Sequence, residues 1–366
     1  MVSLQDIATI NPKSDPLQNT FIYIDLEAVE KGELRKIQEI MREEAPSRAQ
    51  RVIDNNDILF QCVRPYQKNN YIHRILNTSN QQWVASTGYA QIRTTELPNY
   101  IYHLLNTDEF NRKVMVRCTG SSYPAINSED LATIHLYYTP DKKEQLKISR
   151  LLDLLDKRIA TQNKIIEDLK KLKSAIIDQL YSAIKGKGYS YRQIFEIVNE
   201  RNKQLEYSNI LSASQEKGMV NREDLNLDIQ FERSNINTYK VVRKGDYVIH
   251  LRSFQGGYAF SDKIGVCSPA YTILRPNDLL EFRYLSYYFT SQKFIKSLII
   301  VTYGIRDGRS INVEEWLDMK TTIPQKEQQR HIVDTIRNIE KKIENEELYA
   351  SYLSKQKQYL LRQLFI

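Results

Sequence analysis

The sequence predicts an α+β fold in which two similar mixed α/β domains are separated by two long helices that pack as an antiparallel coiled coil. The first observation behind this prediction is an internal duplication. Residues 30–32 (EKG) recur as residues 216–218, and residues 126–129 (INSE) are matched by residues 311–314 (INVE), about 180 to 190 residues later. This period is that of a whole domain with its connector, not of a solenoid repeat. The duplication therefore predicts pseudo-twofold symmetry.

Length and composition are compatible with such a molecule and favour a protein that binds nucleic acid. The chain has 366 residues, enough for two or three domains with their own cores, and a net charge of +7. A modest basic excess suits a polyanionic partner without requiring one. The 24 tyrosines offer flat faces for bases and hydroxyls for phosphates, although burial in a β-rich core explains most of them equally well.

Cysteine usage and apolar runs narrow the class of protein. Cys62, Cys118 and Cys267 lie far apart without paired spacing, which argues against a disulfide framework or a zinc site and fits a reducing compartment. The first residues lack a signal-peptide layout, and the longest apolar run, residues 297–302, is too short to span a bilayer. We therefore expect a cytoplasmic protein without a membrane segment.

The first domain is predicted over residues 1–140. Residues 21–26 and 58–63 are rich in β-forming side chains and read as strands. Residues 107–116 suit a short helix, whereas residues 119–124 (TGSSYP) contain too many turn formers for either element. This mixture predicts an α+β unit.

The first long helix is predicted within residues 141–188. Thr139 resembles an N-cap with Pro140 at the first helical position, and Gly186 with Gly188 supplies a C-terminal stop. Its apolar residues fall at the positions of a coiled-coil seam: Ile148, Leu152, Leu155, Ile159, Ile166, Leu169, Ile176 and Leu180.

The second domain is predicted over residues 189–324 and repeats the plan of the first. Strands are expected at residues 247–252 and 271–274, and a helix is expected near residues 282–300. Glycine-containing loops follow at residues 256–257 and 303–309.

The second long helix, predicted over residues 325–366, repeats the seam about 184 residues after the first. Its seam residues are Ile332, Ile336, Ile339, Ile343, Ala350, Leu353, Leu360 and Leu364.

Polar interruptions of the two seams also correspond. Gln162 matches Glu346, and Lys173 matches Lys357. If Ile148 lies opposite Leu364 in an antiparallel pair, Lys173 approaches Ile339 and Glu340, and Lys357 approaches Leu155 and Asp156. The register hypothesis thus predicts two equivalent ion pairs, and polar seam residues are known to fix register.

Four segments carry a resemblance to a known family: residues 248–276 (VIHLRSFQGGYAFSDKIGVCSPAYTILRP), residues 120–127 (GSSYPAIN), and the helix approaches at residues 143–159 and 323–332. The chain resembles the specificity subunits of Type I restriction-modification enzymes over its full length. The resemblance implies two target-recognition domains, each followed by a spacer helix, and sequence-specific binding of double-stranded DNA. It implies no catalysis by this chain, with two methyltransferase subunits and restriction (translocase-nuclease) subunits as partners. S-adenosylmethionine, ATP and Mg are then expected in those subunits and no cofactor in this one.

Helix length agrees with a bipartite target. A helix of about 44 residues at about 1.5 Å per residue is about 66 Å long, near two turns of B-DNA at roughly 34 Å each. Two domains separated by such a rod can each enter a groove on one face of a duplex. Because the two domain sequences differ, the two half-sites are expected to differ.

Candidate DNA contacts follow from the chemistry of the grooves. Arg pairs with guanine and Asn or Gln with adenine, while Ser, Tyr and Lys commonly hold phosphates. Loops on a rigid frame usually bear such residues. The candidates are Arg64, Tyr66, Gln67, Lys68, Arg117, Ser121, Ser122 and Tyr123 in the first domain, and Arg252, Phe254, Gln255, Tyr258, Tyr303, Arg306 and Arg309 in the second.

Missing motifs weigh against a self-sufficient nuclease or methyltransferase. The sequence has no GxxxxGK[ST] phosphate loop, no HExxH metal motif and no Asn-Pro-Pro-aromatic stretch. Two alternatives stay open. One is a specificity subunit of a Type IIB-like enzyme, which cuts on both sides of its site, and the other is a coiled-coil adaptor that binds only protein.

Overall fold

The computed structural model describes residues 1–75, 81–214, 217–225, 233–250, 257–303 and 310–365. Backbone contacts divide the chain into two units, Met1–Lys164 with Glu347–Ile366, and Ile165–Glu346. Both cuts fall within long helices, so each unit contains part of each helix. The predicted domain limits at residues 140, 188 and 324 stay a prediction. No helix of the described residues is both long enough and apolar enough to cross a membrane.

The first unit is built from short strands and four short helices before the first long helix. Its strands are β1 Val2–Ser3, β2 Ala8–Ile10, β3 Thr20–Ile24, β4 Val29–Glu30, β5 Glu33–Leu34, β6 Gln38–Met41, β7 Ala49–Ile53, β8 Ile58–Gln61, β9 Tyr71–Ile72, β10 Gln82–Ser86, β11 Tyr89–Thr94 and β12 His135–Leu136. Its helices are α1 Leu4–Ile7, α2 Pro98–Leu105, α3 Asp108–Arg117, α4 Ser128–Ala132 and the start of α5 Lys142–Ser182.

Two four-stranded sheets form the frame of this unit. One has the order β6-β3-β10-β7, with β3 and β10 parallel. The other has the order β2-β11-β8-β9 and is antiparallel throughout. Buried Asp57, just before β8, accepts hydrogen bonds from Arg93 Nε and Nη2 of β11 at 2.8 and 2.7 Å. This pair fixes the two strands at the edge where β8 begins.

The second unit repeats one of these two sheets, the antiparallel one. Its strands are β13 Lys187–Ser190, β14 Phe195–Val198, β15 Leu211–Ser214, β16 Gly218–Asn221, β17 Lys240–Val242, β18 Tyr247–Ile249, β19 Tyr258–Phe260, β20 Gly265–Cys267, β21 Thr272–Pro276, β22 Thr302–Tyr303, β23 Ser310–Ile311 and β24 Lys320–Ile323. Its helices are α6 Tyr191–Ile194, α7 Tyr284–Tyr288, α8 Gln292–Ser297, α9 Val313–Asp318 and the first part of α10 Lys326–Leu364.

The antiparallel sheet of the second unit has the order β14-β21-β18-β19, which matches β2-β11-β8-β9 strand for strand. Buried Asp246 precedes β18 and accepts two hydrogen bonds of 2.9 Å from Arg275, as Asp57 does from Arg93. The repeated sequence therefore corresponds to a repeated structure, with one copy of the antiparallel sheet in each unit. The predicted α+β class is confirmed.

The predicted seam of the two long helices is confirmed, since its residues are buried or half-buried in both. In the first unit, Lys357 Nζ lies 2.5 Å from Asp156 Oδ1. In the second, Lys173 Nζ lies 2.9 Å from Glu340 Oε1. Both contacts are those of the predicted antiparallel register.

The ends of the first long helix differ from the prediction in two respects. Helix α5 begins at Lys142, and the carboxylate of Asp141 accepts from Lys143 N at 2.8 Å, so Asp141 caps the first turn instead of Thr139. Gly186 lies beyond the helix end, where an added Cβ would clash with the Ile323 carbonyl oxygen. This glycine therefore permits a close backbone approach and does not cap the helix.

The single helix predicted over residues 282–300 is two short helices, α7 and α8. The hydroxyl of Ser291 accepts a hydrogen bond from Phe294 N at 3.2 Å and begins α8 as its N-cap. Because a capping serine stabilises a helix start, it separates the two segments.

Candidate nucleic-acid interface

Two segments that are far apart in the first domain meet at one surface. We name residues 64–68, which follow β8, the proline turn, and residues 119–125, which follow α3, the glycine loop. The backbone N–H of Arg64 donates to the Pro124 carbonyl at 2.8 Å, and Ala125 pairs with both Val63 and Thr119. Two separately predicted groups of candidates therefore form one site.

The guanidinium of Arg64 lies over the ring of Tyr123, with its carbon 4.2 Å from the ring centroid. Such a cation–π contact holds the planar group in a fixed orientation. Tyr123 is 64% exposed and Tyr66 is 51% exposed. The surface thus presents a positioned guanidinium beside two accessible aromatic rings.

Further polar candidates surround this pair. Gln67, Ser121 and Ser122 are exposed. Gln67 Oε1 accepts from Gln61 Nε2 at 2.9 Å, which sets the orientation of its amide. The surface therefore combines a guanidinium, an amide and hydroxyls, the groups that read base edges and hold phosphates.

The proline turn is held in a strained conformation. Arg64 and Lys68 both have left-handed backbones, with φ of 54° and 53°, on either side of the 3₁₀ turn Pro65–Gln67. For residues other than glycine this conformation costs roughly 1 to 3 kcal/mol and is concentrated at functional sites. Asn111 Nδ2 donates to the Pro65 carbonyl at 3.1 Å and helps to hold the turn.

Two candidates of the first domain direct their charges into the protein. Lys68 Nζ donates to Asp108 Oδ1 at 2.8 Å and to the Asn106 carbonyl at 3.3 Å. Arg117 Nη1 donates to the Asp130 carbonyl at 2.7 Å and to Thr133 Oγ1 at 2.8 Å, at the end of α4. Their proposed DNA contacts stay predictions, and their observed partners stabilise the unit.

The structure describes the side chain of only one of the seven candidates of the second domain, Tyr258. The five residues Arg252, Phe254, Gln255, Arg306 and Arg309 lie outside the described residues, and Tyr303 is described only as backbone of β22.

Tyr258 is the exception, and its position corrects the prediction. Its ring packs in the aromatic core, with centroids 4.8 Å from Phe289 and 5.1 Å from Phe294. Its hydroxyl is buried without a hydrogen-bond partner among the described residues, and burial raises its pKa well above the ordinary value. Tyr258 therefore serves the core and offers no surface hydroxyl to a phosphate.

Sequence reasoning missed the residues that support the proline turn. Asp108 and Asn111 belong to the first turn of α3, whose N-cap is Thr107. The hydrogen bond from Lys68, joined by one from Arg362, lowers the pKa of the Asp108 carboxyl. The available signal was an N-cap followed by an acidic residue, which indicates a helix start but not a partner.

No group of three His, Cys, Asp or Glu side chains within the described ranges could hold a metal ion.

Comparison with known proteins shows which proteins this chain is similar to. Residues 1–171 match the family model described as the Type I restriction modification DNA specificity domain. The chain is 23% identical over 167 residues to the Type I restriction enzyme HindI specificity subunit of Haemophilus influenzae (strain ATCC 51907 / DSM 11121 / KW20 / Rd). That match covers 44% of this chain and 33% of the relative, so the chain spans about a third of the relative's length in that alignment.

Two solved structures share the fold over the whole chain. One belongs to a study of complex assembly and conformational transition of the type I R-M system, with a TM-score of 0.65 at 19% identity, covering 100% of this chain and 96% of that chain. The other is the Type-I restriction-modification system S subunit from M. genitalium, with a TM-score of 0.55 at 13% identity, covering 100% and 95%.

Residues 1–171 therefore match a Type I restriction modification DNA specificity domain, and the chain as a whole shares its fold with the two solved structures.

Proposed function

We propose that the chain recognises an asymmetric bipartite site on double-stranded DNA, with one half-site for each unit. The surface made by the proline turn and the glycine loop supports this proposal most directly. Arg64 is oriented by Tyr123 beside exposed Gln67 and two serines. Arg recognises guanine and Gln recognises adenine, whereas hydroxyls bind phosphates.

Sequence differences between the two loop sets support two different half-sites. Residues 64–67 read RPYQ where residues 252–255 read RSFQ, and residues 119–124 (TGSSYP) differ throughout from residues 304–309 (GIRDGR). The antiparallel sheets of the two units share their strand order and the buried Asp–Arg pair. A common frame with different loops suits two different sequences.

The proposal includes partner subunits that supply the chemistry. Two methyltransferase subunits and restriction subunits would bring S-adenosylmethionine, ATP and Mg, and this chain would direct them to the site without catalysing a reaction itself. The duplicated helix segments support two similar docking surfaces, because a repeated structure presents the same contacts twice.

Methylation mapping tests the proposal. The chain is expressed with its proposed methyltransferase subunit in a host without other DNA methylation, and modified bases are mapped across the genome. We expect two different short motifs with a fixed gap. An uninterrupted motif would contradict the bipartite proposal, and absence of methylation together with no binding to random duplex in a gel shift would favour the protein-only adaptor.

A further inference from the structure

Asp108 lies between the proline turn and the last part of α10. Its Oδ1 accepts from Lys68 Nζ at 2.8 Å, and its Oδ2 accepts from Arg362 Nη2 and Nε at 2.9 and 3.1 Å. One carboxylate thus joins a strained surface turn to a long helix. All three residues belong to the first unit.

The start of α3 and the residue Asn106 before it support the proline turn from one side. Asp108 and the Asn106 carbonyl bind Lys68 at one end of the turn, and Asn111 binds the Pro65 carbonyl in its middle. The two left-handed residues of the turn need such support, since their strained backbones persist only where surrounding contacts fix them. Release of Lys68 would free the end of the turn that is opposite Arg64.

The second unit has a contact at the equivalent place, but the residue that the long helix contributes is acidic instead of basic. The duplication aligns Arg362 with Asp178 and Asp108 with Gln292. Asp178 Oδ1 accepts from the backbone N–H of Gln292 at 2.9 Å, at the first turn of α8. A link from the long helix to the start of the neighbouring short helix is therefore retained while its chemistry differs.

We propose that Asp108 is a positioning residue for recognition of the first half-site, and that Arg362 couples it to α10. The inference rests on the proposed function, because it assigns a task to the support of the candidate DNA surface. Lys68 then acts by holding the turn and thereby keeping Arg64 on Tyr123. A shift of α10 would move Arg362 and change the hold of Asp108 on the turn.

Binding of the full chain to duplexes that carry the mapped site tests this role. In each duplex, one half-site is intact or scrambled. Asp108→Asn should reduce discrimination at the first half-site by about tenfold and leave the second unchanged. Glu109→Gln is the matched control, because Glu109 has similar exposure but pairs with Arg112 and Lys113 inside α3. It should bind as wild type does.

Salt dependence separates positioning from direct contact. A residue that binds a phosphate contributes about 0.9 to the slope of log affinity against log salt concentration, whereas a positioning residue contributes none directly. Asp108→Asn should therefore keep the wild-type slope, and Lys68→Met should add little to its effect. A slope reduced by about one in Lys68→Met, with an effect that adds to that of Asp108→Asn, would assign Lys68 to DNA and overturn the positioning role.

The two proposals fail in different ways. A wild-type chain without preference for either half-site removes the proposed function. A wild-type preference that persists in Asp108→Asn removes only the inference about Asp108. If Asp108→Asn does not fold, Arg362→Gln keeps the Lys68 pair and should still lower discrimination at the first half-site by about threefold. Unchanged discrimination in that variant would overturn the coupling.

Discussion

The two units place the same ion pair in the same seam but surround it differently. In the first unit, Asp156 binds Lys357 and lies 3.9 Å from Nδ1 of the buried His103. In the second, Glu340 binds Lys173 and also accepts a hydrogen bond of 2.7 Å from the hydroxyl of Tyr287, which stands at the position of His103.

This difference teaches which parts of the duplication are constrained. The lysine and the opposing carboxylate persist in both copies because they fix the register of a helix pair. The third member can change from imidazole to phenol, since either ring fills the space and faces the carboxylate. Contacts that set geometry are therefore retained, whereas their neighbours diverge.

The buried Asp–Arg pairs should give the largest effect. Asp57→Asn is expected to destabilise the first unit by about 3 kcal/mol, because the buried carboxylate loses its charge and its two charge-assisted hydrogen bonds from Arg93, which then keeps the ion pair with Asp54. Asp246→Asn should cost less, since Asp57 also accepts a hydrogen bond of 2.7 Å from Gln91, while the equivalent position in β21 is the apolar Ile273.

Each unit contains one of the two tryptophans, so unfolding can be followed separately. Trp83 reports the first unit in a Trp316→Phe background, and Trp316 reports the second in a Trp83→Phe background. Urea unfolding of each variant gives the two free energies. Equal losses of unfolding free energy, from Asp57→Asn as reported by Trp83 and from Asp246→Asn as reported by Trp316, would show that the two pairs contribute equally.

Loop substitutions should separate the two units by function. Arg64→Ala is expected to weaken the first half-site by roughly 1 to 3 kcal/mol for a lost base contact, with no change at the second. Arg306→Ala or Arg309→Ala should do the reverse. Competition binding with duplexes scrambled in one half-site measures both. Loss at both half-sites from Arg64→Ala would indicate unfolding or a different arrangement of the surface.

Acid should destabilise the first unit more than the second. Burial lowers the pKa of His73 to about 4. The unfolded chain takes up this proton near pH 6.5, so stability is lost as pH falls from about 6.5 toward 4, by about 2 kcal/mol at pH 5. Ser261 occupies the equivalent place in the second unit, donating its N–H to the Asp246 carbonyl as His73 does to that of Asp57.

His73→Leu should remove this component. The loss of unfolding free energy between pH 7 and pH 5, followed by Trp83, is expected to be smaller in the variant than in the wild type. An identical pH dependence in both proteins would show that folding does not lower the pKa of His73.

The seam lysines should give the smallest effect. Lys357→Met and Lys173→Met are each expected to cost about 1 kcal/mol or less, because both ion pairs are only partly buried. Lys173→Met should cost less, since Glu340 keeps its hydrogen bond from Tyr287. Double-mutant cycles with Asp156→Asn and Glu340→Gln measure the two coupling energies, and a larger value in the second unit would contradict this ranking.

The helix pair could be predicted from the sequence because its pattern is local and repeats. One assumption about register was enough to place Lys357 on Asp156 and Lys173 on Glu340. The meeting of Arg64 with Tyr123 depends on contacts between distant segments, which no periodicity records. Tyr123 and Tyr258 both stand near glycines in the sequence, yet Tyr123 is exposed and Tyr258 packs against the core.

The composition of the first unit has a consequence for synthesis on the ribosome. Leu361 and Phe365 pack in the same buried cluster as Leu4 and Tyr100, and the Phe365 ring centroid lies 5.2 Å from that of Tyr100. Roughly 180 residues separate the two parts of this unit, so at about 5 to 20 residues per second its core stays open for roughly 10 to 40 s after its first part has been translated. The nascent first unit is therefore exposed to chaperones and proteases while the second unit, which is continuous in sequence, is being completed.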